Sequence, residues 1–245
     1  MELKPGETVT DGSKAAENLI KELADAAEER LDPELVPFLS IHQTLGQILQ
    51  HPLVYEVPYH RLPGMVNKRL HAKQKLVDDY ISKKEYGKAL WLYERPYRIS
   101  FLDLWQSEFT SEDFKDQLSM VWSDAEMPSQ FSQQKLIGMF KRAGYLTDEE
   151  DSRFRPTGDI PVFRGVQKEE FSRGMSWTTS PQKARWFALR WNIVGTGYVY
   201  AATAPPESQL AFFSGRGEQE VVVDPQHLVG FRLHETVRKN DGKKT

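Results

Sequence analysis

From the N-terminus to about residue 150, apolar positions recur every three or four residues; beyond it they fall into short alternating or continuous runs. The first spacing is that of a helix face and the second that of strands. In GSKAAENLIKELADAAEERL, Ala15, Leu19, Leu23 and Ala26 form one stripe, with Ser13 the expected N-cap and Pro33 the stop. Pro33, Pro37, Pro52, Pro58 and Pro63 then break the chain so often that only short helices fit, such as 40–50. Pro63-Gly64 predicts a turn, followed by helices over 65–83 and 85–93. ISFLDLWQSEF continues the pattern, and in SEDFKDQLSMVWSDA the Ser111 cap precedes Phe114, Leu118 and Val121 on one face. SQQKLIGMFKRAGYL repeats it with Ser132 as cap and Gly144 as stop. Trp91, Trp105 and Trp122 lie on these helices and are expected in the core.

After the polar stretch TDEEDSRFRPTGD (147–159) the pattern changes. IPVFRG and MSWTTS read as strands, and SPQKARWFALRW as a helix with Ser180 as cap, Pro181 at its first position and Ala184, Phe187, Ala188 and Trp191 on one face. YVYAATA, EVVVDP and LVGFRLHE are again strand-like. Helices first and strands later make an α+β chain whose sheet is not fed by regular crossovers. The expected division is a helical accessory segment over 1–70, a second domain over 71–238 with helices to 150 and a β-core over 155–235, and a polar tail over 239–245.

Composition narrows the possible chemistry. The absence of cysteine excludes disulfides, thiolate catalysis and cysteine-ligated zinc, and the six histidines are never three or four residues apart, so no metal is expected. No apolar run is long enough for a membrane span and no secretory leader is visible, which leads us to expect a cytoplasmic protein or one delivered into a target cell. The net charge is −3, yet residues 1–35 hold ten acids and only four bases. Conversely, 57–77 carries Arg61, Lys68, Arg69, Lys73 and Lys75, with His60 and His71 and no acid, a run suited to a solvated helix face or to a polyanion.

The candidate chemistry lies in the last ninety or so residues. In SGRGEQEVVVDP, Glu218 and Glu220 stand two apart at the entrance to a strand, where alternation would put both on the face of Val222. Two close carboxylates need a cationic partner or an unusual protonation state. Arg164, closing the strand VFRG, is the natural counterpart, because its planar fork holds charge and reads phosphate or carboxylate bidentately. Between them lie the hydroxyls Ser176, Thr178, Thr179 and Ser180; alternation turns Trp177 away from Ser176 and Thr178, into the core.

FRG (163–165), then GMSWTTS (174–180) with ARWFA (184–188), then GEQEVVV (217–223), resembles the mono-ADP-ribosyltransferases of the arginine–serine–glutamate class, over roughly 155–235. The resemblance implies a split, twisted mixed β-core binding NAD as co-substrate, without metal and without the dinucleotide fold whose G-x-G-x-x-G is absent here. By it, Arg164 holds the pyrophosphate and nearby ribose. Gly165 lets the backbone approach the nicotinamide amide. Ser176, Thr178 and Thr179 brace the site, and either Ser176 or Thr178 is the bracing hydroxyl, since Ser-Trp-Thr-Thr-Ser departs from the usual Ser-Thr-Ser. Glu220 stabilises the ribosyl cation, and Glu218 orients or deprotonates the nucleophile. Phe212 or Phe213, with Arg216, meets the acceptor. Glu-x-Glu in this class accompanies arginine acceptors, so the expected acceptor is a protein arginine. The alternatives are RNA or DNA reached through 57–77, or hydrolysis of NAD with no acceptor. The resemblance also suggests a bacterial or phage toxin or effector, whose N-terminal segment could bind an inhibitory partner.

Overall fold

The computed structural model describes residues 9–60, 62–124, 132–148, 158–190, 195–215 and 217–238, with side chains from residue 16 onward. The chain divides into two compact units, Met1–Glu108 and Phe109–Thr245. In the first, α1 (Val9–Glu28) begins ahead of Ser13, so that residue lies inside the helix and does not cap it. Residues 40–50, where the prolines suggest a short helix, belong instead to a three-stranded antiparallel sheet of β1 (Leu39–His42), β2 (Gly46–His51) and β3 (Val54–Glu56). The segment 1–70 is therefore not wholly helical. Leu49 of β2 pairs with both Leu39 and Glu56 and is buried with Val54 against Val66 and Leu70. Prolines that forbid long helices are equally at home beside strand ends and turns, and burial of Leu49 and Val54 decides between the two.

Val66 and Leu70 lie on α2 (Pro63–Ser82), which is followed by α3 (Tyr86–Leu92) and α4 (Arg95–Leu104). The 70/71 division expected from sequence falls within α2. The basic run also lies largely on this helix, where Arg69 meets Glu56 at 2.8 Å, His71 meets Asp32 at 2.9 Å and Lys73 meets Glu94 at 2.8 Å. Acids elsewhere in the unit thus neutralise part of what looks, in sequence, like a uniform cationic patch.

The second unit opens with α5 (Ser111–Asp124) and α6 (Gln133–Ala143). Ser132 caps α6 as predicted, accepting from Lys135 N at 3.3 Å. At α5 the cap is Thr110, whose Oγ1 accepts from Asp113 N at 3.1 Å, and Ser111 is the first helical residue. Phe114, Leu118, Val121 and Trp122 of α5 and Leu136, Ile137, Met139 and Phe140 of α6 are buried. Of the three tryptophans expected in the core, only Trp122 is fully withdrawn; Trp91 and Trp105 are half-buried.

A mixed seven-stranded sheet completes this unit: β4 (Leu146–Thr147), β5 (Ile160–Val166), β6 (Ser176–Thr178), β7 (Thr196–Ala204), β8 (Gln209–Phe213), β9 (Glu220–Val223) and β10 (Val229–Arg238), in the order β10-β7-β5-β6-β9-β8-β4. Among the described residues, β4 and β8 alone run parallel. The α+β class read from the sequence is the class observed. β5 and β6 share a single residue pair, Phe163 with Thr178, so β10-β7-β5 and β6-β9-β8-β4 meet at a split.

On one face, α7 (Pro181–Arg190) lies against β5 and β7 through Ala184 and Ala188, both fully buried with Val199. The approach is so close that a Cβ on Gly165 would stand 1.7 Å from the Ala184 carbonyl oxygen, and one on Gly197 2.3 Å from that of Ala188. On the other face Val162, Val166, Trp177, Tyr200, Ala202, Val221 and Val223 form an apolar cluster. Trp177 is 2 % exposed, on the side opposite Ser176 and Thr178, as alternation predicts. Among the described residues no helix is long and apolar enough to cross a membrane.

Candidate active site

The split leaves backbone groups of β6 without a ladder partner, and Arg164 fills that place. Met175 O accepts from Val223 N and Thr179 N donates to Gln219 O, so odd-numbered backbone groups of this segment face β9. The carbonyl of Ser176 therefore faces β5, where the ladder has already ended. Arg164 Nη1 donates to it, and Arg164 Nε donates to Phe171 O at 3.0 Å. Gly174 makes room for the guanidinium: a Cβ there would lie 2.3 Å from Nη2. Burial of the guanidinium lowers the Arg164 pKa to about 10, with the Glu220 charge opposing the fall, so the side chain stays cationic at neutral pH.

Thr178 is the direct cross-strand partner of Glu220, and Ser176 of Val222; all four side chains share one sheet face. Glu220 is 6 % exposed, and its Oε1 accepts from the indole Nε1 of Trp122 at 3.2 Å. Thr178 is buried, and its hydroxyl donates to Glu218 O at 2.6 Å while accepting from Ser180 N at 3.1 Å. It ties the end of β6 both to the approach to β9 and to the start of α7. Thr179 Oγ1 donates to Gln219 Oε1 at 3.0 Å, and Ser180 Oγ caps α7 by accepting from Lys183 N at 3.3 Å. Ser176 Oγ makes no hydrogen bond to any described residue, so of the two hydroxyls left open by the sequence it is the one available to a ligand.

Glu218 does not share the arrangement that simple alternation gives it. The strand begins at Glu220, and Gln219 takes a left-handed conformation with φ of 48°. For a residue other than glycine this conformation is sparsely populated; here the two bonds to Thr179 hold it. The twist breaks the two-residue period, leaving Glu218 half-buried in the loop ahead of the strand, not on the Glu220 face by pleat.

The structure gives Gly165 a physical reason beside the one the resemblance implies. Its missing side chain points at α7, so the helix occupies the room that glycine leaves. Phe213 pairs with Glu220 and is 5 % exposed, which removes it from contact with an acceptor, whereas Phe212 is half-buried. Arg216 lies outside the described residues. The loop between them is pinned from β4's end: Asp148 accepts from Ser214 N and Gly215 N, both at 2.7 Å.

Two contributors were given no role in the site by the sequence, although Gly174 opens GMSWTTS. Trp122 and Gly174 act on Glu220 and Arg164 only through the fold; the signal for Gly174 was a glycine two residues ahead of the hydroxyl strand. A groove of about 570 Å³ between α7 and β10, lined by Arg185, Leu189, Glu235 and Val237, touches none of the candidate residues. Among the described residues no cluster of His, Asp or Glu could hold a metal ion. Comparison of the chain with protein-family models, with curated proteins and with solved structures finds no match.

Proposed function

We propose that the chain is a mono-ADP-ribosyltransferase, cleaving NAD between nicotinamide and ribose and passing ADP-ribose to a macromolecular acceptor, foremost a protein arginine. The observation that carries this reading is the side-by-side register of Thr178 and Glu220 at the split that Arg164 spans. Two sheet halves meeting at one residue pair also agree with the split β-core of the class that the motifs resemble.

The residues suit NAD. A guanidinium carries five N–H donors. Two of those on Arg164 are engaged by carbonyls, which fix the plane and leave the rest for pyrophosphate oxygens. Ser176 Oγ suits a ribose hydroxyl. In the reaction the C1′–N bond breaks, its electron pair leaves with nicotinamide and quenches the pyridinium charge, and C1′ becomes oxocarbenium-like. Glu220 opposes that charge and accepts from the 2′-OH. An acceptor guanidine nitrogen then bonds to C1′ and loses its proton to Glu218. Ion pairing of Arg69 and Lys73 within the first unit favours a protein acceptor over nucleic acid.

With labelled NAD and cell lysate, the wild type is expected to label a protease-sensitive product. Label removed only by nuclease moves the acceptor to nucleic acid, free ADP-ribose alone makes the protein a glycohydrolase, and intact NAD overturns the reading. Glu218→Gln should lower transfer by about 10²-fold while nicotinamide release into water persists, because only the acceptor's proton depends on Glu218. Equal loss of both would assign Glu218 to NAD cleavage. Gly174→Ala should displace the guanidinium without unfolding the protein, since the clash is with the far end of a flexible side chain. Its expected signature is KM for NAD raised about tenfold, against little change in urea midpoint.

A further inference from the structure

Trp122 stands 98 residues from Glu220 in sequence, yet its indole Nε1 donates to Glu220 Oε1 at 3.2 Å. Both partners are buried, at 7 % and 6 % exposure, so little water competes for the bond. The indole ring is itself held edge-on against Phe140 of α6, with centroids 5.0 Å apart and planes at 85°. The indole N–H is thus fixed from two helices and can serve no other acceptor while it serves this one, since indole is a donor only. We infer that Trp122 is the positioning residue for Glu220: it fixes the carboxylate in one orientation and favours its ionised form.

The physical reason is directional. A buried carboxylate is costly unless its oxygens accept hydrogen bonds or face a cation. Around Glu220, β5 supplies the Arg164 charge, β6 and β8 supply Thr178 and Phe213, and the preceding loop carries the other acid, Glu218, whose backbone carbonyl accepts from Thr178 Oγ1. The indole of α5 adds a neutral donor aimed at Oε1. For what Glu220 does, this inference rests on the transferase reading; for the contact itself it does not.

The test therefore has two arms. In the first, the indole N–H resonances of the protein are recorded by NMR, with Trp122→Phe identifying the Trp122 signal. That signal is expected to shift in Glu220→Gln and to titrate with pH in the wild type; a signal indifferent to both overturns the inference whatever the protein catalyses. The second arm uses Trp122→Phe, which keeps an aromatic ring beside Phe140 and removes the donor. Expected are a kcat for nicotinamide release lowered about tenfold, an unchanged KM for NAD, and an acid limb of the pH profile displaced to higher pH. The sign follows because loss of a donor to the charged form raises a carboxyl pKa. Lower kcat with an unmoved acid limb would mean a merely structural role and would also overturn it. Should the wild type fail to cleave NAD, the transferase reading falls, and the NMR arm still decides the contact. If Trp122→Phe does not fold, nuclear Overhauser contacts between the indole and the Phe140 ring identify the Trp122 signal, and the wild type and Glu220→Gln complete the first arm.

Discussion

Glu220→Gln is expected to reduce nicotinamide release from NAD by about 10³-fold, with and without acceptor, while the protein stays folded. Glutamine has the same shape and its Oε1 can still accept from Trp122, so the packing around α5 and β9 is kept. What disappears is a negative charge, and cation stabilisation at C1′ needs that charge in the transition state far more than in the ground state. NAD affinity should change little, because Arg164 keeps its two carbonyl contacts. The variant does lose the counter-charge to a buried guanidinium, a cost of about 1–3 kcal/mol, so thermal unfolding must accompany the kinetics. Nicotinamide release within tenfold of wild type, in a protein of near-native melting temperature, would sink the assignment of Glu220.

Gly165→Ala should be the most damaging single methyl group in the second unit. The added Cβ would meet the Ala184 carbonyl oxygen at 1.7 Å and the Ala188 nitrogen at 2.8 Å. These are backbone atoms of α7, which no rotamer change can move. The helix must lift from β5, uncovering Ala184 and Ala188, so the expected loss is about 3 kcal/mol or more, at the upper end for overpacking. The same substitution at exposed Gly138 of α6, where a Cβ meets nothing within 4 Å, should instead stabilise by about 1 kcal/mol. Urea midpoints of the two variants separate the cases. A Gly165→Ala protein of wild-type stability that has lost only NAD affinity would restore the other explanation of this glycine, close approach of nicotinamide.

Local chemistry made several features legible in advance. Ser132 and Ser180 as caps, Pro181 at the start of α7, and the inward Trp177 all follow from rules that act within one turn or one strand. The order of Arg164, Ser176 and Glu220 was equally visible. Misreadings occurred where a local rule met a distant contact. Residues 40–50 formed strands because Leu49 found a core, and Glu218 fell outside the two-residue period of β9 because Thr179 holds Gln219 in a left-handed turn.

By itself, then, the sequence determined which segments are helix or strand over most of the chain and which side chains bear chemistry. Periodicity and capping are properties of neighbouring residues, and backbone geometry enforces them without reference to the rest of the molecule. Tertiary structure alone decided the split between β5 and β6, the seating of Arg164 on the Ser176 carbonyl, the engagement of the Thr178 hydroxyl, and the meeting of Trp122 with Glu220. Each depends on which strand or helix lies beside which. That choice is made by burial and by satisfaction of backbone polar groups across the whole unit, and no spacing in the sequence carries it.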